Sequence, residues 1–146
     1  MLQDRRAIVT GSAQGLGEAI AERLLREGCR VILSDIQEEP LARTAARLAQ
    51  AHPGRVAHRR GDITHEPDVA ALVAQAEQDW GGLDIFVANA GILISGPITD
   101  FDVAKWRKVV EVNLVGVMIC MKHALALMAR QRKGAFIEIN SKSGKK

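Results

Sequence analysis

The sequence has few aromatic residues and few cysteines. It contains no tyrosine, three phenylalanines and two tryptophans, so it lacks the stacking platform on which single-stranded nucleic acids are commonly bound. Its net charge of +3 comes from scattered basic residues, which we expect to be solvated and not to bind nucleic acid. Cys29 and Cys120 have neither metal-ligand nor disulfide-framework spacing, which predicts buried free thiols in a cytoplasmic protein.

Long apolar runs and metal-ligand clusters are absent as well. No stretch of about 18 apolar residues occurs, and no basic-then-apolar leader follows Met1, which argues against a membrane span and a secretory signal. The histidines are not spaced as metal ligands, so no metal site is expected; they are His52, His58, His65 and His123. A chain of 146 residues with 47% hydrophobic content suits one soluble domain.

Apolar runs alternate with helical patterns along the whole chain. Strands are predicted at 7–10, 30–35, 55–58, 83–88 and 135–140. Helices are predicted at about 15–27, 38–51 and 102–131, with a further helix capped by Thr64 and broken by Gly81-Gly82. This alternation favours right-handed crossovers and a parallel sheet covered on both faces. We therefore predict an α/β, doubly wound fold with strand order 3-2-1-4-5, in which Leu16, Ile20, Leu24 and Leu25 lie on one side of the first helix.

A glycine-rich turn follows the first predicted strand. Residues 10–17 read Thr-Gly-Ser-Ala-Gln-Gly-Leu-Gly. Gly11 allows a tight turn, Gly15 lets backbone N–H groups approach a pyrophosphate, and Gly17 lets the next helix sit close to the sheet. The unpaired N–H groups of that helix would face the phosphates. The turn predicts a dinucleotide site, and the lack of a following Lys-Ser or Lys-Thr pair excludes a P-loop.

Asp35 closes the second predicted strand. A carboxylate at that position can accept both hydroxyls of an adenosine ribose, and it repels a 2′-phosphate. Gln14 occupies the place in the turn where an arginine could bind such a phosphate. NAD is therefore predicted in preference to NADP, and a surface aspartate after a strand is the alternative.

The order of these motifs resembles the short-chain dehydrogenase/reductase family. The glycine turn is accompanied by Asn89-Ala90-Gly91 after the fourth strand and by Asp62 after the third. Asn113 and the run Ile139-Asn140-Ser141 are further matches, and together they span essentially the whole chain. The resemblance implies a Rossmann-type domain of an oxidoreductase that transfers a hydride between NAD and a secondary alcohol or ketone.

The resemblance also assigns cofactor contacts residue by residue. The implied cofactor-binding positions are Gly11, Ser12, Gln14, Gly15, Leu16, Gly17, Asp35, Ile36, Asp62, Ile63, Asn89, Ala90 and Gly91. The glycine turn would line the phosphates, Asp35 and Ile36 would hold the adenosine ribose, and Asp62 would accept from the adenine amino group. The segment that begins at Asn89 would line the nicotinamide side. Asp62 as a turn residue and Asn89 as a tie between two strands are the alternatives.

Two positions are implied to be catalytic. Asn113 lies in a run that is apolar nearly all round, which predicts a buried helix whose amide must be hydrogen-bonded. In the family this residue bends the helix and holds a water of the proton relay, and a purely structural asparagine is the alternative. Ser141 would hold the substrate oxygen and steady the acid/base, with Ser143 as the competing serine.

The run from Ile139 to Lys145 resembles, more narrowly, the sorbitol-6-phosphate 2-dehydrogenase branch of the family. That likeness implies a polyol or a sugar phosphate as the substrate. Lys142 or Lys145 would attract the phosphate group, and solvated lysines are the alternative.

The Tyr-x-x-x-Lys pair that supplies the family's general acid/base has no counterpart here, because the chain has no tyrosine and ends at Lys146. We expect a single NAD-binding domain over residues 1–146, truncated before the sixth strand. Its apolar edge would make it poorly soluble or partly unfolded. A catalytically inactive nucleotide-binding fragment is the alternative function, and a methyltransferase ranks far behind it. A small-molecule alcohol or ketone and a homo-oligomer, dimer or tetramer, are the partners that the family implies.

Overall fold

Five parallel strands form one sheet in the computed structural model, which describes residues 2–141. The strands are β1 (Arg6–Thr10), β2 (Arg30–Asp35), β3 (Val56–Arg60), β4 (Ile85–Ala88) and β5 (Ala135–Glu138). Their order in the sheet is β3-β2-β1-β4-β5, which confirms the predicted doubly wound arrangement. The carboxyl ends of all five strands therefore meet at one edge of the sheet.

Helices cover both faces of this sheet. They are α1 (Gly15–Arg26), α2 (Glu38–Ala51), α3 (Glu66–Trp80), α4 (Val103–Val110) and α5 (Val117–Gln131), and a π-helical turn (Glu111–Gly116) joins α4 to α5. Side chains alternate across each strand, so Ile8, Ile32 and Phe86 face α3 and α5. Val9, Leu33 and Val87 lie on the opposite side, against α1 and α2. The two apolar cores position the loops at the carboxyl edge.

An ion pair joins β1 to β4 at the opposite, amino-terminal edge. The Asp84 carboxylate accepts from Arg6 Nε at 2.7 Å, from Arg6 Nη2 at 3.0 Å and from the Arg6 backbone N–H at 3.0 Å. Lys133 Nζ lies 3.3 Å from the same carboxylate. Burial acts to raise the pKa of Asp84, but the hydrogen bonds from Arg6 outweigh it and hold that pKa well below its ordinary value.

The structure corrects the cap of one predicted helix and shows which side of another is buried. Leu16 is 60% exposed, because the face of α1 that meets the sheet carries Gly17, Ala21 and Leu25; the small residues at 17 and 21 allow the close approach. Thr64 does not cap α3, whose N-cap residue is His65. The Thr64 hydroxyl donates instead to Asp62 Oδ1 at 2.7 Å.

The long helix formed by α4, the π-helical turn and α5 is less buried than predicted. Leu114 is 56% exposed and Met118 60% exposed, and Asn113 itself is exposed. Only the opposite face, with Cys120, Leu127 and neighbouring residues, packs on the sheet, so an all-round apolar pattern does not mean all-round burial here. Burial raises the pKa of the Cys120 thiol to about 12, as expected for an unreactive free cysteine. By length and composition the segment Val103–Gln131 could cross a membrane, but its contacts make it a helix that covers the sheet.

Candidate nucleotide site

A cleft of about 820 Å³ opens at the carboxyl edge of the sheet. Loops after β1, β2, β3 and β4 form most of its wall, and α4 with the π-helical turn closes one side. The predicted site residues that line it are Gly11, Gln14, Gly15, Asp35, Ile36, Asp62, Ile63, Asn89, Ala90 and Gly91. Residues far apart in the sequence are thus brought to a single cavity at the place where the strand order reverses.

Other predicted site residues do not line the cleft. They are Ser12, Leu16, Gly17, Asn113 and Ser141. Ser12 is buried beneath the turn, where its Oγ donates to the Val9 carbonyl at 2.8 Å and accepts from the Ser34 N–H at 2.9 Å. The exposed Ser141 is the last described residue, and its N–H donates to Asn140 Oδ1 at 2.7 Å. Ser143, Lys142 and Lys145 lie outside the described residues.

The glycine turn has the local geometry that its composition predicts. Gly15 has φ +62°, and a Cβ built there would meet no heavy atom within 4 Å. Its side of the turn therefore faces open space at the N-terminus of α1. A Cβ on Gly17 would overlap the Gly11 carbonyl oxygen and approach Asn89 Nδ2. Gly15 thus leaves room for a ligand, whereas Gly17 allows the start of α1 to pack closely against Gly11 and Asn89.

Asp35 is fixed by backbone donors from two directions. Its Oδ2 accepts from the Ala13 N–H at 3.1 Å, and its Oδ1 accepts from the Gln37 N–H at 3.0 Å. The residue is only 9% exposed and still lines the cleft. The carboxylate is therefore tied directly to the glycine turn, a contact that the sequence pattern did not indicate.

Asn89 connects the end of β4 to the start of the same turn. Its Nδ2 donates to the carbonyls of Thr10 and Gly11, both at 3.1 Å, and its backbone N–H donates to Thr10 Oγ1 at 3.2 Å. The Ala90 N–H shares that hydroxyl at 3.2 Å. The alternative interpretation of Asn89, a tie between two strands, describes these contacts, and the residue lines the cleft as well. Thr10 is a site residue that sequence analysis did not single out.

The loop between β3 and α3 is held by two aspartates. Asp62 Oδ1 accepts from the Thr64 N–H at 2.9 Å and from the Thr64 hydroxyl. The Asp62 N–H donates to Asp68 Oδ2 at 2.9 Å, and Asp68 Oδ1 lies 2.9 Å from His65 Nδ1. The hydrogen bond from the Asp62 backbone, followed by that from His65, lowers the pKa of Asp68. Asp68 was not predicted from the sequence, because an acidic residue in the first turn of a helix is common without a further role.

Asn113 links the helix of the cleft wall to the loop after β4. Its Oδ1 accepts from the Ile92 N–H at 2.8 Å, and its Nδ2 donates to the Ile92 carbonyl at 2.7 Å. The residue lies in the π-helical turn, a feature that often marks functional positions in helices. The side chain is thus hydrogen-bonded as predicted, although it is exposed and not buried.

Arg107, Lys108, Glu111 and Val112 complete the wall of the cleft. None of them was predicted, because an all-apolar or mixed helix pattern does not reveal which turn faces a cavity. Within residues 2–141, no cluster of three histidine, cysteine or acidic residues could hold a metal ion.

Comparison with known proteins adds independent findings. The family model described as short chain dehydrogenase matches residues 5–146. The cis-4-hydroxycyclohexanecarboxylate dehydrogenase of Sinomonas cyclohexanicum is 41% identical over 139 residues, which are 94% of this chain and 55% of that protein. An uncharacterized oxidoreductase of Staphylococcus aureus (strain MRSA252) is 39% identical over 144 residues, or 99% of this chain and 61% of that protein.

A solved structure of a short chain dehydrogenase is also similar to this chain. The short chain dehydrogenase from Mycobacterium smegmatis superimposes with a TM-score of 0.95 at 33% identity. The match covers 99% of this chain and 61% of that one. The chain therefore spans a little over half the length of the relatives that it matches.

Proposed function

The chain belongs to the short-chain dehydrogenase family, and from that premise we propose that it forms the cofactor-binding part of an NAD-dependent oxidoreductase of the cytoplasm. The reaction would transfer a hydride between the nicotinamide and a secondary alcohol or ketone; NAD, when bound, supplies the hydride acceptor. One observation carries the proposal: the Asp35 carboxylate and the glycine turn are hydrogen-bonded to each other at one cleft.

The turn fits a pyrophosphate. The space beside Gly15 is open, and α1 begins there with backbone N–H groups that its N-cap residue, Gln14, does not satisfy with its side chain. Such N–H groups and the positive end of the helix dipole are suited to phosphate oxygens. The residues that would hold the phosphates are therefore Gly11, Gln14 and Gly15.

The ribose site favours a cofactor without a 2′-phosphate. The Asp35 carboxylate is fixed by the Ala13 and Gln37 N–H groups, so it cannot easily swing away from a ligand in the cleft. A ribose hydroxyl would donate to it, whereas a phosphate would be repelled at short range in a partly desolvated site. Ile36, which follows it, offers an apolar contact and no charge to a phosphate.

The loop after β3 suits the edge of an adenine. Thr64 occupies Asp62 Oδ1, which leaves the second carboxylate oxygen to accept from the adenine amino group. The backbone N–H of the next residue, Ile63, has no acceptor among residues 2–141, and it would donate to the neighbouring ring nitrogen. An acceptor beside a donor is the pattern that adenine requires.

The nicotinamide half would lie toward Asn89, Ala90 and Gly91. Asn113 would position the loop after Gly91 through its two hydrogen bonds to Ile92. Ser141, at the end of the strand beside β4, would hold the substrate oxygen. These roles follow from the family resemblance and the order of the strands.

A polyol or a sugar phosphate is the substrate that we propose. It is supported by the likeness of residues 139–145 to the sorbitol-6-phosphate dehydrogenase branch. The name of the Sinomonas relative describes a dehydrogenase of a hydroxylated ring carboxylate, also a secondary alcohol. Assays of NADH formation by an enzymatically active form of the protein, with polyols, polyol phosphates and cyclic hydroxy acids as substrates, would distinguish these possibilities. Turnover of the cyclic hydroxy acids alone would exclude a polyol substrate.

Calorimetric titration of the 146-residue chain tests the cofactor directly. We expect NAD to bind, NADP to bind more weakly, and adenosine monophosphate to bind to the same site, because the phosphate, ribose and adenine contacts all lie within the described residues. No binding of NAD by a sample that unfolds cooperatively, or tighter binding of NADP, would overturn the proposal.

Nucleotide binding without catalysis is the second candidate function. It is a candidate for the 146-residue chain taken by itself, which contains no tyrosine to serve as the family's general acid/base. A chain that binds NAD but forms no NADH with any secondary alcohol would support this candidate. Measurable NADH formation by the same preparation would exclude it.

We also propose that the protein forms a homo-oligomer, a dimer or a tetramer, through its long helix. Large apolar side chains repeat along the exposed face of this helix at spacings of three or four residues, which places them on one side. This apolar stripe consists of Val110, Leu114, Met118, Met121 and Leu125. Exposed apolar surface of that extent is typical of protein–protein contact sites.

A further inference from the structure

We propose that Asp68 is a positioning residue for recognition of the adenine base and that it acts through Asp62. The inference rests on the proposed function, because it assumes that the base lies against the loop after β3. It concerns a residue that lines no part of the cleft and lies outside the sequence motifs. Its role would be to set the base preference of the site and not to touch the cofactor.

The geometry joins Asp68 to the backbone of the recognition loop. Its Oδ2 accepts the Asp62 N–H at 2.9 Å, and its Cβ lies 3.4 Å from the position of a Cβ on Gly61. The carboxylate thus packs directly beside the loop that leaves β3. Because Asp68 belongs to the first turn of α3, this contact anchors the loop to a rigid helix.

Two independent contacts then fix Asp62. Asp68 holds its backbone, and Thr64 holds one oxygen of its carboxylate at 2.7 Å. The second carboxylate oxygen of Asp62 and the N–H of the adjacent Ile63 belong to the stretch of backbone that these contacts anchor. Discrimination between bases depends on their relative placement, since a shift of the acceptor or donor weakens a hydrogen bond steeply.

A purely structural role for Asp68 would have a different consequence. An acidic residue near a helix N-terminus stabilises the helix, and the contact with His65 contributes to the same end. Loss of that stabilisation would weaken the binding of every ligand to the same degree. Loss of the anchor to Asp62 would weaken only those ligands whose base requires the Asp62 acceptor.

A pair of nearly identical dinucleotides separates the two roles. NAD presents an amino group to Asp62, whereas nicotinamide hypoxanthine dinucleotide presents a carbonyl oxygen there and a ring N–H beside it. We expect the wild-type chain to bind NAD at least about tenfold more tightly than the hypoxanthine analogue, because the Asp62 acceptor and the Ile63 donor would each face a like group on the analogue. The ratio of the two dissociation constants, measured by calorimetry, is the readout.

Three substitutions at one position define the expected result. Asp68→Ala should weaken NAD binding about tenfold, leave the analogue nearly unchanged and bring the ratio close to one. Asp68→Asn retains an oxygen that can accept the Asp62 N–H, so most of the preference should return. Asp68→Glu keeps the charge but moves the acceptor by one methylene group, so it should lose the preference for NAD like the alanine variant. If the alanine variant does not fold, the ratio measured for Asp68→Glu tests the role of Asp68.

Asp79→Ala is the matched control, because Asp79 is an exposed aspartate on the same helix and should leave the ratio unchanged. An unchanged ratio in folded Asp68→Ala or Asp68→Glu, or an equal loss for both dinucleotides, would overturn the role of Asp68. If the wild-type chain unfolds cooperatively and yet binds neither dinucleotide, the proposed function fails instead. If it binds both equally, the adenine contact of Asp62 fails and the role of Asp68 fails with it.

Discussion

At the scale of single residues, Gly15 and Gly54 offer a matched test of the phosphate-binding turn. Both have positive φ, +62° and +73°, and a Cβ on either would meet no atom within 4 Å. Alanine at each position should therefore cost about 1 kcal/mol of folding free energy through backbone strain. Only Gly15 lines the cleft, so Gly15→Ala should also weaken NAD binding about tenfold, because a methyl group would occupy the space of a phosphate.

Thermal unfolding and calorimetric titration of the two variants provide the measurements. Gly54→Ala should show the same loss of stability as Gly15→Ala with unchanged affinity for NAD. Equal affinities of the two variants for NAD would show that the turn is not the phosphate site.

Asp35→Asn tests the ribose site. Asparagine keeps one oxygen for the Ala13 N–H, leaves the Gln37 N–H without its acceptor and removes the negative charge that would repel a 2′-phosphate. The loss of one hydrogen bond affects both cofactors, so the ratio of their affinities is the readout. The preference for NAD over NADP should fall about tenfold, mainly because NADP binds more tightly than before. The dissociation constants of both cofactors measure this change.

Glu39→Gln is the control for charge alone, since Glu39 is an exposed acid on α2 that loses the same charge away from the cleft. It should leave the preference unchanged. If Asp35→Asn keeps the wild-type preference for NAD over NADP, residues other than Asp35 discriminate between the two cofactors.

These residues also show what a sequence can reveal about a site. Gly15 and Asp35 were predictable, because a turn beside a phosphate requires glycine and a ribose requires an acceptor at a strand end. The bond from Asp35 to Ala13 and that from Asp68 to Asp62 were not, since each depends on how two loops meet after folding. Which acid at a helix start bonds to a neighbouring loop is a three-dimensional property that no local pattern encodes.

At the scale of elements, the ion pair between Asp84 and Arg6 should make the free energy of unfolding depend on pH in the acid range. Asp84 has a pKa below its ordinary value of 3.8 because hydrogen bonds from Arg6 outweigh the effect of burial. A group whose pKa is lowered by folding stabilises the protein above the unfolded-state pKa, and this contribution is lost as the pH falls through the folded-state value. The free energy of unfolding should therefore decline below about pH 4.

Asp84→Asn should remove this dependence and reduce stability at neutral pH by about 2–4 kcal/mol, because the largely buried Arg6 loses its partner. Urea unfolding at pH 7 and at pH 3 measures both effects. Asp79→Asn, on the exposed face of α3, should change neither. If the free energy of unfolding of Asp84→Asn falls between pH 7 and pH 3 as much as that of the wild type, the pH dependence comes from other carboxylates.

The elements differ in how well their sequences predicted them. The bounds of α2 are those expected, since helix-forming residues end at a proline and glycine after Ala51. The long helix was predicted to be buried, and the family resemblance implied a bend at Asn113; the helix contains a π-helical turn at Glu111–Gly116 and leaves one face exposed. The π-helical turn contains Asn113, whose side chain is hydrogen-bonded to Ile92. The periodicity of a helix does not show whether a side chain contacts a loop or which face of the helix another surface covers.

At the scale of the whole molecule, we expect two surfaces, the edge of the sheet and the exposed face of the long helix, to govern the association of the chain in solution. Among the described residues β5 pairs only with β4, and its Ile137 is exposed. An open strand edge favours association with other chains, as does the apolar stripe on the long helix. Low solubility of the isolated chain, which the sequence predicted, remains a prediction.

Met118→Glu tests the part played by the apolar stripe. Met118 is 60% exposed and lies in the middle of the stripe, away from the cleft, so a charge there should not alter the fold. A carboxylate placed in an apolar contact between two copies would have to be desolvated without a partner, which is strongly unfavourable. The dissociation constant of self-association should therefore rise by tenfold or more, equivalent to about 1.4 kcal/mol.

Sedimentation velocity over a range of protein concentrations measures this change, and NAD titration of the same samples shows whether the cleft is intact. Gln78→Glu adds the same charge to an exposed position of α3 and controls for its general effect on solubility. If both variants dissociate equally, electrostatic repulsion between whole molecules explains the result. If neither does, the apolar stripe is not the contact surface, and the open edge of β5 is the next surface to test.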